Sequence, residues 1–251
     1  MTDVGRVVSY LDAYLHVAQV RDAAAALNGL QVANSGRVSR VAAAVDLCEA
    51  TVRMAAAAGA DLLLVHHGLF WGGLRPLAGP HYRRVAALLA HDIALYGAHL
   101  PLDRHPDVGN NPLLARRLGV TIRGEFGEHE GQTIGVWGDV DLSRDEFTRC
   151  LAEALGASPR ALAFGPDHVR RVGIVTGAAG DMIPQAAAMG LDTFVTGEGP
   201  HWTFFDAEEL GVNVYYGGHY LTETFGVKAL AEHVGAKFDL PWLFVDHPTG
   251  M

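Results

Sequence analysis

Apolar runs of strand length alternate with alanine-rich stretches of helical length along nearly the whole chain, and this alternation constrains the fold more than any other feature. Val41 to Val45 and Leu62 to Val65 are uninterrupted apolar runs of the kind that fill strands buried on both faces. Between them, Glu49 to Ala58 reads as a helix. The series continues with a helix near His81 to His91, a strand near Ile93 to Ala98 and a helix near Pro112 to Leu118. Ahead of it, Val4, Val7, Val8, Leu11 and Leu15 space out an opening amphipathic helix. This order predicts an α/β fold with mostly parallel sheets covered by helices.

Gly119 to Gly131, with its charges and four glycines, reads as a boundary. Beyond it come a strand around Thr133 to Trp137 and a helix opened by the capping box Ser143-Arg-Asp-Glu146. A second strand and helix series then runs from Arg171 to the end, and it copies the first. At an offset of 131, Val41 falls on Val172, Gly59 on Gly190, Asp61 on Asp192, Gly68 on Gly199 and Trp71 on Trp202. At an offset of 120, Tyr96-Gly97-Ala98-His99 falls on Tyr216-Gly217-Gly218-His219, and Asp103 falls four residues later against Glu223 at 223. These positions lie largely past strand ends, where packing does not dictate them, so duplication is the preferred reading.

Composition narrows the partners. A chain of 251 residues, 49% hydrophobic and 19% charged, with a mean hydropathy of +0.15, builds a core without disulfides. Its net charge of −9 argues against a phosphate-tracking surface, so nucleic acid is not an expected partner. Acids at Asp3 and Asp12 interrupt the start, and no apolar run reaches about 18 residues, so no membrane span is expected and the protein reads as soluble and cytoplasmic. Two cysteines, Cys48 and Cys150, are too few for a thiolate cage. Thirteen histidines are the unusual figure, and they direct attention to metal chemistry.

Ligands of open α/β sheets sit past the carboxyl ends of strands. Four such ends deliver His66 and His67, His99 and Asp103, Glu198, and His219 and Glu223. Buried imidazoles need partners, since an unpaired polar group costs roughly 1 to 3 kcal/mol. Adjacent side chains at a strand end diverge, so His66 and His67 suit two ions better than one. His219 and Glu223, four apart, share a helix face over a helix placed from Thr222 to His233 and stopped at Gly235. His99 to Asp103, with Pro101 inside it, reads as a rigid loop. Imidazole and carboxylate donors suit Zn, Fe, Mn, Co or Ni. The surface hydrogen-bonded pair stays open as the plainer reading of each segment taken singly. Gly177-Ala-Ala-Gly180 reads as a tight turn in preference to a phosphate cradle, and Cys48 as a small core residue. Trp71 and Trp202 stand equally as loop anchors or as surfaces for a planar substrate.

Taken in order, Leu27-Asn-Gly-Leu-Gln-Val32, Val65-His-His-Gly-Leu-Phe-Trp71, His99-Leu-Pro-Leu-Asp103 with Gly109-Asn-Asn111, Val195-Thr-Gly-Glu198 and Gly218-His-Tyr-Leu-Thr-Glu223 resemble the Nif3-like dinuclear metal-centre proteins, also labelled GTP cyclohydrolase 1 type 2 homologues. The resemblance implies a Nif3-like fold of two related, interlocked lobes, placed here at 1–124 with 216–251 and at 125–215. It implies a toroidal homohexamer and two divalent ions held by His66, His67, Asp103, His219 and Glu223, with Glu223 or Asp103 able to touch both. His99 and Glu198 would line the cavity. This is the short form of the family, and Gly199-Pro-His-Trp202 departs from the polar run expected after Glu198.

Two functions follow as expectations. The first is a metal-dependent hydrolase acting through metal-bound hydroxide on a small, nucleotide-like substrate. The second is a non-catalytic hexameric metal-binding, metal-trafficking or regulatory scaffold.

Overall fold

A computed structural model describes residues 1–23 and 25–251. The chain forms two compact units, Met1–Leu102 with Gly226–His247, and Asp103–Phe225 with Pro248–Met251. Each is an α/β unit made from two chain segments.

In the first unit the strands Gly29–Val32, Val41–Asp46, Leu62–His67, Ala94–Gly97 and Trp242–Phe244 form one sheet. Val41–Asp46 pairs in parallel with both Trp242–Phe244 and Leu62–His67, which in turn pairs in parallel with Ala94–Gly97. Gly29–Val32 closes one edge antiparallel. Val41 to Val45 and Leu62 to Val65 are all buried, as helices on the sheet faces require. Ala42, Ala44, Leu63 and Val65 pack with Val52 and Ala55 of the helix Glu49–Ala57 and Leu88 of the helix Gly79–Ala90. Cys48 stands half-buried just ahead of the first of these helices, its N–H donating to Thr51 Oγ1 at 2.9 Å, so it caps a helix where a core position was expected.

In the second unit Val172, Ile174, Val195 and Tyr215, on three strands of a six-stranded sheet, pack on Phe147, Leu151 and Leu155 of the helix Arg144–Leu155. The parallel pairs occupy the middle of this sheet and antiparallel pairs its edges. The capping box at Ser143 forms as read: Ser143 N–H donates to Glu146 Oε2 at 2.9 Å and Glu146 N–H to Ser143 Oγ at 3.3 Å.

Three local readings need correction. Gly119 to Gly131, read as a boundary, is regular structure: Thr121–His129 is a strand paired antiparallel with Gln132–Ser143, turning at Glu130 (φ 50°) and Gly131 (φ 77°) as a two-residue hairpin turn requires. His99 to Asp103 is not a loop, because Leu100–Asp103 makes a helical turn with Pro101 near its start. The last helix does not stop at Gly235. It runs Thr224–Phe238 behind a separate turn, His219–Thr222, and Gly235 lies inside it because a Cβ there would come within 2.8 Å of Trp242 and 2.9 Å of the Leu240 carbonyl.

The repeat at an offset of 131 extends into the hydrogen bonds. Val41 pairs with Leu62 and Val172 with Thr193. Asp61 accepts the N–H groups of Ser39 and Arg40, and Asp192 those of Arg170 and Arg171. Gly59 and Gly190 end their helices at φ 70° and 66°. The second offset is not kept: Leu64 pairs with Tyr96 and Val195 with Tyr215, so Tyr96 corresponds by register to Tyr215, one residue before the matched motif. Among the described residues no helix is long and apolar enough to cross a membrane.

Candidate metal centre

His66 and His67 end the strand Leu62–His67, whose parallel partner ends at Asp46 directly opposite His67. His66 is 1% exposed, and its Nδ1 lies 2.8 Å from the Ala98 carbonyl. A carbonyl only accepts, so Nδ1 carries the proton and Nε2 is left as the basic nitrogen. His67 Nδ1 lies 2.8 Å from Asp46 Oδ1, and His99 Nδ1 lies 2.8 Å from Asp22 Oδ1. The ligand-bearing atoms of His66, His67 and His99 fall within 4.8 Å of one another. Trp71 closes over this group, its ring centroid 4.5 Å from that of His99 and 5.0 Å from that of His67.

Asp22 holds His99 from a buried position and also accepts hydrogen bonds from Asn28 Nδ2 and the Leu100 N–H. Burial pushes its carboxyl upward, but these donors and the imidazole outweigh it and leave the group below the ordinary carboxylate value. Gln31 braces the same region: its Oε1 accepts the Leu69 N–H at 2.7 Å, and a Cβ on Gly68 or Gly97 would run into its amide.

The second unit carries the other candidates. His219 Nδ1 lies 2.8 Å from Glu198 Oε1, and its Nε2 lies 3.2 Å from Glu223 Oε1. Glu223 is 2% exposed and occupies the break between His219–Thr222 and Thr224–Phe238. Gly177 (φ 72°) lets the backbone pass this carboxylate, since a Cβ there would sit 2.3 Å from Glu223 Oε1. Its carbonyl accepts the N–H groups of Gly197 and Glu198, so Gly177 to Gly180 is a tight turn that supports the Glu198 loop. Asp103 Oδ1 accepts from Asn110 Nδ2 at 2.8 Å and Thr176 Oγ1 at 3.4 Å. Asn111 ties the segment in place by accepting the Thr176 N–H and donating to the Asp103 carbonyl.

Sequence reading missed the carboxylates that aim the imidazoles, Asp22 and Asp46, and the amides Asn110 and Asn111 as props for Asp103. Asp46 carried a signal, a lone acid one residue past an apolar strand run. Asp22 carried none. Trp202 is half exposed just ahead of the helix Thr203–Leu210.

Burial disfavours the charged form of His219, but the hydrogen bonds and charges of Glu223 and Glu198 prevail and push it up to about 9. A group raised above its ordinary 6.5 stabilises the fold fully below that pH, and this contribution is lost as pH climbs through about 9. The thermal midpoint of chelator-treated protein is therefore expected to fall more steeply over that interval than the midpoint of a His219→Gln variant. Parallel slopes would remove the pair from the stability balance. A metal at Nε2 competes with this proton, so binding tightens as pH rises.

The family model for Duf34/NIF3 (NGG1p interacting factor 3) matches residues 2–249. A Deinococcus radiodurans protein described as a GTP cyclohydrolase 1 type 2 homolog is 45% identical over 99% of this chain and 95% of its own. A Halobacterium salinarum protein of the same description is 45% identical over 99% of this chain and all of its own. The crystal structure of TTHA1606 from Thermus thermophilus superposes with a TM-score of 0.91 at 43% identity, covering the whole of both chains.

Proposed function

Because this chain belongs to the Duf34/NIF3 family, we propose that it holds two divalent transition-metal ions and acts as a metal-dependent hydrolase on a small, nucleotide-like substrate. The proposed ligands are His66, His67, Asp103, His219 and Glu223, with His99 and Glu198 beside them. One observation carries the reading: the Nδ1 of His66, His67 and His99 is in each case taken by a fixed oxygen, which leaves Nε2 as the ligand nitrogen of each ring, while His219, held at Nδ1 by Glu198, turns Nε2 toward the Glu223 carboxylate. Hydrogen-bonded surface histidines have no reason to share one tautomer. The donor set fits Zn, Fe, Mn, Co or Ni and excludes a thiolate centre.

Two such ions supply Lewis acidity and water activation near neutral pH. The chain does the positioning. Asp46 and Glu198 fix the rings of His67 and His219, and Asn110 and Thr176 fix the carboxylate of Asp103. Ring-opening hydrolysis of a purine nucleotide is the reaction to which the relatives' description points. A cytoplasmic homohexamer completes the proposal.

The reading is tested by loading chelator-treated protein with Zn, Mn or Fe and following turnover on a panel of nucleotides and cyclic amides. Metal-dependent product is expected from at least one nucleotide. Stoichiometric metal without product from any member would replace the hydrolase by the scaffold.

A further inference from the structure

Gly199, Pro200 and His201 wall a cavity of about 220 Å³ within the second unit. Arg160, Leu162, Glu198, Thr203, Phe204 and Tyr216 complete its lining. Arg160 and Tyr216 are register partners on neighbouring antiparallel strands, which sets the guanidinium beside the phenol. The Tyr216 hydroxyl pairs with Thr203 Oγ1 at 2.5 Å, and Thr203 is 1% exposed, so this wall is fixed from behind. Among the described residues the Arg160 guanidinium makes no ion pair or hydrogen bond. Phe204 is held edge-on by Phe164 and Phe205 at 5.2 and 5.5 Å, which leaves an ordered aromatic surface in the lining.

We infer that this cavity seats a small molecule that joins an anionic group to a planar ring, with Arg160 taking the anion, Phe204 and Leu162 the ring, and Glu198 an N–H at the other end. The chemistry of each wall sets the class. A guanidinium without a protein partner pairs with a carboxylate or phosphate through two parallel hydrogen bonds. The aromatic and aliphatic walls exclude water around a flat body. Glu198 uses Oε1 for His219 and keeps Oε2 as an acceptor. Through that residue the cavity adjoins a proposed metal ligand, so it is the substrate pocket of the hydrolase proposed above and rests on that reading. The volume suits a compact planar ring system with its anionic substituent, well short of a dinucleotide.

Calorimetric titrations of metal-loaded protein with 4-aminobenzoate, guanosine 5′-monophosphate and inorganic phosphate test the assignment and separate carboxylate from phosphate as the source of the anion. At least one ring-bearing anion is expected to bind, and Arg160→Gln is expected to weaken it roughly ten- to a hundredfold. Arg160 is exposed on an edge strand, so this change leaves folding intact. Metal content is measured on the same samples. Weakened binding at full metal content supports the pocket, whereas metal-free wild-type protein would signal failure of the metal reading instead. The assignment is overturned if Arg160→Gln binds like wild type, if inorganic phosphate alone binds as tightly as the ring-bearing anions, or if neither ring-bearing anion binds at millimolar concentration.

Discussion

Purified protein carrying His219→Ala with Glu223→Gln is expected to lose at least one ion per chain by plasma mass spectrometry, while its circular dichroism stays that of the wild type. His219 Nε2 and Glu223 Oε1 stand 3.2 Å apart and Glu223 is 2% exposed, so the two supply a neutral and an anionic donor at one place. The double change matters for the fold. Removing only the imidazole takes one partner from a buried carboxylate, which in fully buried pairs costs about 3 to 5 kcal/mol. Replacing the carboxylate by an amide at the same time removes the charge that would need solvation. Glu198→Gln is the graded companion, because its amide oxygen still accepts from His219 Nδ1. Its metal affinity is expected to drop about ten- to a hundredfold, as for other residues that orient a ligand from behind. Wild-type metal content in the double variant would withdraw both residues from the ligand set.

Much of the centre was legible because strands buried on both faces leave a continuous apolar run, and His66, His67 and Glu198 stand where such runs stop. The strand Thr121–His129 was illegible for the opposite reason. It is a mostly exposed edge strand, so its charges and glycines erase the apolar pattern, and Glu130-Gly131 is not among the commonest turn pairs. Gly235 misled because a glycine that ends a helix and a glycine that admits a neighbouring Trp242 look the same in one dimension. Asp22 and His99 are 77 residues apart and meet only through tertiary structure. The offset of 131 proved physical because Asp61 and Asp192 each tie two backbone N–H groups, a constraint that keeps spacing fixed. No such tie fixes the offset of 120, and there the register slips by one, which turns Tyr96 and Tyr216 to different surroundings.

Gly177→Ala is expected to destabilise the protein and to loosen its metal, through two separable effects. The residue sits at φ 72°, where an L side chain costs about 1 to 2 kcal/mol. A Cβ would also lie 2.3 Å from Glu223 Oε1, a distance no relaxation of the alanine itself can restore. Glu223 must then move, and it is buried at the junction of two helical segments. Gly59 isolates the first effect: its φ is 70°, and nothing lies within 4 Å of its hypothetical Cβ. Gly59→Ala is thus expected to lower the thermal midpoint by roughly 2 to 8 °C, following the usual 2 to 4 °C per kcal/mol for a chain of this size, with metal affinity intact. Gly177→Ala is expected to lower it further and to weaken metal binding as well. If the two variants melt together and bind metal alike, the closeness of Gly177 to Glu223 has no energetic consequence, and the turn serves only to carry the Glu198 loop.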